Sequence, residues 1–407
     1  MQSALRVLVC LHSFEPGGVE RVALRLCKAW QTAGADVTVL LGRADGAMRD
    51  EAPALDYALY SSGTISTARF ETLWMIFCLW RRVRAVRPDV IFCAGNSYTV
   101  VAVALRLLLG RACPPFVAKV SNDFDRPDMN AVARRAYRPW LKLQGRLIPH
   151  WVAMAGSMRD GIAVALDIPP ERVTVIDNPV LDGAEARRLA EARDLAVRYG
   201  AKGRLFLSVG RLVPQKRFDL LLAAFARAGG PDDLLVIVGE GPCRGALQAL
   251  AHRLGIASRL SLPGHQSDTA SWYARADLFL LSSDYEGVPG VVVEAMAAGL
   301  SIVATRSSAA LDELLGTDSL GRSRFGQLVD RGDVDALAAA MARPGAAPDR
   351  HSLRAQAGQF RVERAAPAYL RLLRMAAYPD QNQGEWGNPE CAPSTGMSTS
   401  EPAYVSD

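Results

Sequence analysis

Short apolar runs alternate with stretches that carry apolar residues at helical spacing along most of this chain, and that alternation leaves few folds open. Parallel strands need a long crossover between them, which a helix supplies, so the pattern predicts parallel sheets covered by helices on both faces. In the first half the candidate strands are Arg6–Leu11, Asp36–Leu41, Asp89–Cys93, Phe116–Val120, Trp151–Met154 and Val173–Ile176. Helical spacing fills the gaps at Val19–Ala33, Phe70–Val86, Thr99–Leu109, Val132–Leu147 and Ser157–Leu166. Asn178-Pro179 stops the last strand, since the residue before proline avoids helical geometry. After the charged, helix-prone segment Asp182–Tyr199 the alternation restarts. Its strands are Leu205–Val209, Leu234–Val238, Arg259–Leu262, Leu278–Leu281, Ser301–Ala304 and Phe325–Val329, with helices between them and at Asp333–Met341 and Leu353–Ala377. Two α/β domains are expected, residues 1–181 and 182–350, because 407 residues exceed the size at which one core stops growing. The stretch 351–377 is expected to pack back toward the first domain, and 378–407, rich in Pro, Gly, Ser and Asn, to be a disordered tail.

Composition excludes several classes. The seven cysteines are odd in number, scattered and without Cys-x-x-Cys spacing, so neither a disulfide framework nor a zinc site is expected. A formal charge of +5 gives no expectation of nucleic-acid binding. No basic and apolar leader opens the chain, which sets the expectation of a cytoplasmic protein. Leu73–Trp80 is apolar and precedes Arg81, Arg82 and Arg84, but a spanning helix needs about 20 apolar residues, so a buried helix is expected there. Arg134, Arg135, Arg138, Lys142 and Arg146 recur at three- and four-residue steps, with Tyr137, Trp140, Leu141 and Leu147 between them. That pattern suits a helix lying on an anionic membrane surface, the inner face of the cytoplasmic membrane in this setting, and equally an ordinary solvated face over an apolar stripe.

The segment Ser282–Gly299 carries the strongest chemical signal. It follows an apolar strand, breaks at Glu286, Gly287, Pro289 and Gly290, and then opens a helix that Gly299 should end. Glu286 and Glu294 thus stand on one strand-to-helix connection, at the sheet edge where open α/β folds bind ligands. Carboxylates accept hydrogen bonds, so paired hydroxyls, as on a ribose or hexose, are their natural guests.

Two other connections suit an anion. Gly17 and Gly18 sit between the first strand and the first helix, where free N–H groups and a partial positive charge gather. Gly210 and Arg211 come directly off a strand, and Lys216 follows on the same connection. A forked guanidinium and a point ammonium together fit a diphosphate.

These segments together resemble the retaining glycosyltransferases of family 4, whose GT-B fold sets two Rossmann-like domains face to face across a cleft. Ser282–Gly299 looks like that family's Glu-x7-Glu motif, residues 17–21 like its Gly-Gly-x-Glu-Arg loop, and residues 210–216 like its Gly-Arg-Leu-x-x-x-Lys diphosphate clamp. The resemblance implies transfer of a sugar from a UDP- or GDP-sugar to a hydroxyl of a glycan or lipid-linked acceptor, in cell-surface polysaccharide, lipopolysaccharide or glycolipid synthesis. It implies that Arg211 and Lys216 neutralise the leaving diphosphate, that Glu286 sits near the transferred sugar and that Glu294 holds the ribose. Gly239 and Gly241 would bend the chain under the nucleotide, and the loop with Gly264 and His265 would meet the base through its main chain. Gly287, Val288, Pro289 and Gly290 complete the implied donor contacts. No metal and no cofactor are implied, since the nucleotide-sugar is itself a substrate.

Two departures stand out. Val120-Ser-Asn-Asp occupies the place where the family often has a histidine, leaving Asn122 or Asp123 to meet the sugar, and Thr305-Arg-Ser-Ser-Ala-Ala replaces a Thr-Asp-x-Gly-Gly segment. A catalytically inactive nucleotide-binding partner protein and a sugar-nucleotide epimerase on the same fold are the alternatives.

Overall fold

The computed structural model describes residues 4–15, 17–60, 70–124, 129–195, 202–345 and 348–379. The first sheet is built from β1 (Arg6–Leu11), β2 (Asp36–Leu41), β3 (Asp56–Leu59), β4 (Val90–Cys93), β5 (Phe116–Lys119), β6 (His150–Ala153) and β7 (Val173–Val175). The second contains β8 (Leu205–Val209), β9 (Leu234–Val238), β10 (Leu260–Ser261), β11 (Leu278–Leu281), β12 (Ser301–Thr305) and β13 (Gln327–Val329). The orders are β3-β2-β1-β4-β5-β6-β7 and β10-β9-β8-β11-β12-β13, and neighbouring strands pair in parallel throughout. Each order reverses once, between β1 and β4 and between β8 and β11. Such switch points open a crevice at the carboxyl ends of the strands.

Most strands fall where the apolar runs place them, because strands covered on both faces read as continuous Val, Ile and Leu. The exception is β3, which the sequence pattern misses. It is a short edge strand of partly exposed residues and has no apolar run to announce it.

Three other expectations need correction. Leu353–Ala377 is not one helix but two, Arg350–Ala357 and Val362–Ala377, separated by a 3-10 turn and an extended Arg361. The break lets the chain pair with the domain connection: Leu181 N–H donates to the Phe360 carbonyl at 3.2 Å, and Val362 N–H to the Leu181 carbonyl at 2.8 Å. The helix Glu71–Val86 is buried on one face only. Met75, Cys78, Leu79 and Val83 are inside, while Leu73 is 68% and Phe77 41% exposed. Helix Gly183–Leu195 is shorter than the expected Asp182–Tyr199, and residues 196–201 lie outside the described ones, as does the segment 380–407 read as a disordered tail.

The helix Val362–Ala377 lies on the first sheet. Trp30 donates its indole N–H to the Ala366 carbonyl at 3.3 Å and packs against Phe92 and Tyr369, all three rings being fully buried. Aromatic rings remove on the order of 150–250 Å² each from water, so this cluster anchors the last helix to the first domain. Cys10, Cys27, Cys78, Cys93 and Cys113 are buried free thiols. Among the described residues, no helix is long and apolar enough to cross a membrane.

Candidate active site

The two switch points face a shared cleft of about 280 Å³. On the first-domain wall, the loop after β1 reaches Gly17, which caps the helix Gly18–Thr32. Gly17, Gly18 and Val19 line the cleft, bringing the free N–H end of that helix to it. Ser121 and Asn122 follow β5 on the same wall, joined by Met154 and Asn178.

The second domain supplies the charged groups. From the end of β8 come Gly210 and Arg211, and from the turn Pro214–Lys216 come Gln215 and Lys216. Lys216 Nζ donates to Glu286 Oε1 at 2.5 Å, and the Ser283 hydroxyl donates to the same oxygen at 2.6 Å. Glu286 is buried, and its second oxygen has no donor among the described residues. The Ser282 hydroxyl donates to the Lys216 carbonyl, and the Gln215 amide to the Tyr285 carbonyl. These bonds tie the loop after β8 to the loop after β11. Arg211 lines the cleft without an ion pair among the described residues.

Pro289 caps the helix Gly290–Ala298, and Gly299 ends it with φ 75°. Glu294 lies on its buried side, where Oε2 accepts the Tyr273 phenol proton at 2.8 Å and Oε1 stands 3.8 Å from Arg21 Nη1. Burial and the neighbouring Glu294 push the Tyr273 phenol well above its usual range, so it stays a donor. The Glu294 carboxylate is therefore oriented by a ring from its own domain and faced by a guanidinium from the other.

Two glycines are dictated by contact. At Gly239, φ is 147° and an added Cβ would lie 2.0 Å from the Gly210 carbonyl. At Gly287 an added Cβ would lie 2.4 Å from both the Ser121 carbonyl and Met154 Cε, so this position is one of those where the two domains touch. The Asp123 N–H meets the Glu286 carbonyl at 3.3 Å, and Asn178 Nδ2 donates to the Val288 carbonyl at 3.4 Å. Further out, the Glu313 carboxylate accepts from Gly156 N–H and Ser157 N–H, capping a first-domain helix from the second domain.

Of the residues picked from sequence, Gly17, Gly18, Asn122, Gly210, Arg211, Lys216, Gly239, His265, Glu286, Gly287, Val288, Pro289, Gly290 and Glu294 line the cleft. Asp123, Gly241 and Gly264 do not. Gly241 backs onto Leu212, and Gly264 onto Glu240 and Arg244. They shape loops behind the wall.

Residues 16–181 match the family model described as Glycosyltransferase Family 4, and residues 203–344 the one described as Glycosyl transferases group 1. The chain belongs to this glycosyltransferase family. It is 34% identical to the lipopolysaccharide core biosynthesis glycosyltransferase LpsE of Rhizobium meliloti, over 41% of this chain and 48% of LpsE. It is 28% identical to the phosphatidyl-myo-inositol mannosyltransferase of Mycolicibacterium smegmatis, over 82% of this chain and 83% of that enzyme. The chain spans about half the length of several other curated relatives that it matches. The crystal structure of Anabaena HepE in complex with UDP and glucose superposes with a TM-score of 0.71, at 20% identity, over 91% of this chain and 99% of HepE. The fold is GT-B.

The chain also brings to its cleft Arg21, the last residue of the Gly-Gly-x-Glu-Arg loop, and two residues outside the motifs, Asn178 and Lys119. Arg21 sits in a noted loop, yet only folding sets it against Glu294. Lys119 had a visible signal, since it is a charged residue inside an otherwise apolar strand, Phe-Val-Ala-Lys-Val.

Proposed function

We propose that this glycosyltransferase moves a sugar from a UDP- or GDP-sugar to a hydroxyl of a glycan or lipid-linked acceptor, with retention and without a metal, in the making of cell-surface polysaccharide, lipopolysaccharide or glycolipid. One observation carries the reading: Arg211, the Lys216–Glu286 pair and Glu294 converge on one cleft between the domains, beside the amino ends of two helices. The names of LpsE and of the phosphatidyl-myo-inositol mannosyltransferase, and the UDP and glucose held by HepE, support the same classes of acceptor and donor.

In this reading the diphosphate lies against Arg211, Lys216 and the helix ends, and Glu294 accepts from the ribose hydroxyls. The bond between the anomeric carbon and the diphosphate oxygen breaks as negative charge gathers on the leaving group, where the two cations are placed to offset it. The acceptor oxygen bonds to the anomeric carbon from the same face, and its proton passes to the leaving phosphate. No protein nucleophile enters. With two cations at the diphosphate, charge neutralisation does not call for a metal. Glu286 and Asn122 border the space where the sugar would lie. His265 and its loop meet the base.

The helix Ala131–Leu147 is the reading's membrane contact. Arg134, Arg135, Arg138, Lys142 and Arg146 are all exposed, and only Leu141, Gln144 and Gly145 are buried. The helix Glu71–Val86 adds exposed Leu73 and Phe77, with Arg84 stacked 4.4 Å from the Trp80 ring. A basic face beside an apolar one suits the anionic inner surface of a membrane.

Calorimetric titration of the purified protein with UDP and with GDP, repeated on Glu294→Ala, tests the donor site. One nucleotide should bind, and the substitution should weaken it. If neither binds to a folded sample, the donor reading fails. Steady turnover of a nucleotide-sugar with acceptor separates the enzyme from an inactive binding partner, the reading that Ser121-Asn122 in place of a histidine would favour.

A further inference from the structure

Lys119 ends β5 with its side chain 2% exposed, yet it lines the cleft. Its Nζ donates to Asn178 Oδ1 at 2.8 Å, and no carboxylate is within ion-pair distance of it among the described residues. An ammonium has three N–H donors, so two remain for whatever enters. A neutral amide is a poor counterpart for a buried charge, and such a group is costly to keep unless a ligand completes it.

Its neighbours fix where that ligand would be. Asn178, which holds Lys119 through Oδ1, donates through Nδ2 to the Val288 carbonyl, so two hydrogen bonds link the lysine to the loop that carries Glu286. The other charged groups around the cleft are largely spoken for. Lys216 is paired with Glu286, Arg21 faces Glu294 and Arg25 is bonded to Glu185, while Arg211 remains open on the opposite, second-domain wall. On the first helix Glu20 bonds to the Tyr98 hydroxyl and acts on Lys119 only through its field.

We propose that Lys119 is an anion-binding residue of the transfer site, supplied by the first domain, which receives a phosphate or carboxylate oxygen of the substrate on the wall facing Arg211. This rests on the donor reading of the cleft. The anion comes from the diphosphate of the donor or from an acidic sugar unit.

Burial pushes the Lys119 ammonium down to about 7, with Glu20 opposing. The sign of the coupling follows. An anion against Nζ favours the charged form and raises the lysine's titration point, so binding takes up a proton. Affinity is greatest below about 7 and falls as pH rises above that value, until the bound form also loses its proton.

The test is calorimetry at pH 8 in two buffers of different ionisation enthalpy, on the intact protein and on Lys119→Met, which keeps the volume and removes the charge. The ligands are UDP and GDP, UDP-glucose and GDP-mannose, and UDP-glucuronate. The proposal expects the unmodified protein to take up a proton that Lys119→Met does not, and the variant to bind roughly 10- to 100-fold more weakly, as for a lost charge-assisted hydrogen bond. A difference seen with every ligand that binds assigns the anion to the diphosphate. One seen with UDP-glucuronate alone assigns it to a sugar carboxylate. Equal proton uptake and affinity in the two proteins would overturn Lys119 while leaving the donor site standing. Absence of binding by every ligand would overturn both.

Discussion

Lys216 and Glu286 are 70 positions apart in the chain and 2.5 Å apart in space. They close the second sheet's switch point, since the lysine follows β8 and the glutamate follows β11. The pair is largely buried, and Ser283 adds a second donor to the oxygen that Lys216 uses. A lysine held this way has its ammonium fixed before a ligand arrives. Preorganised charge of this kind costs no rearrangement at the moment of reaction.

Lys216→Ala and Arg211→Ala should each lower kcat by about 100- to 1,000-fold, the usual cost of removing one preorganised group opposite developing charge. Arg211 is exposed at the cleft, so its loss should leave the melting temperature almost unchanged. Lys216→Ala strands Glu286 and should also destabilise the fold by about 3 kcal/mol or more. Initial rates with a donor and thermal melts of both variants check this, and near wild-type turnover in both would dismiss the diphosphate clamp.

Glu294 separates binding from chemistry. Glu294→Gln keeps the shape but loses the charge that accepts from hydroxyls, so nucleotide affinity should fall by about 10-fold or more. Tyr273→Phe leaves the carboxylate in place and removes one donor to it, so its effect should be smaller, near 1 kcal/mol. Titrations of the two variants with the nucleotide that binds would show the order. A larger loss in Tyr273→Phe than in Glu294→Gln would move the ribose elsewhere.

The fold was legible because most strands read as short apolar runs and most helices carry their apolar residues at helical spacing. The exceptions have physical causes. β3 is a half-exposed edge, and the break at Arg361 exists to pair with Leu181, a partner far away in sequence. Much of the cleft lining was legible as well: Glu286, Glu294 and Lys216 from their residue types on or beside strand-to-helix connections, and Gly239 from the family resemblance. Arg21 and Asn178 did not announce themselves, since each acts across the domain boundary on Glu294 or Val288. Asp123 shows the converse: next to Asn122 in sequence, it turns its backbone N–H to Glu286 and stays out of the cleft lining.

Replacing Arg134, Arg135 and Arg138 together by Gln should weaken binding to vesicles rich in anionic lipid. Each basic residue near such a surface contributes about 1 kcal/mol, and the effect fades as salt is raised. All three are exposed, so the fold should persist. Co-sedimentation at low and high salt measures it, and equal binding by the variant would remove this helix from the membrane contact.

Gly287 tests whether the domains must touch for transfer. An alanine there would press its Cβ to 2.4 Å from the Ser121 carbonyl, a backbone atom that cannot swing aside, and equally close to Met154 Cε, which can. The methionine end can yield, so relief has to come from the Ser121 side, by parting the loop after β11 from the loop after β5. Gly287→Ala should therefore hold the cleft slightly open and lower kcat, and nucleotide affinity should fall with it, because the first helix's amino end and Lys119 are drawn back from the diphosphate. Met154→Ala removes only the flexible contact and should not rescue the rate. Small-angle scattering of Gly287→Ala with and without nucleotide reads the opening, and steady-state kinetics read its cost. Full activity in Gly287→Ala would mean that the contact between Gly287 and Ser121 is not needed for the reaction.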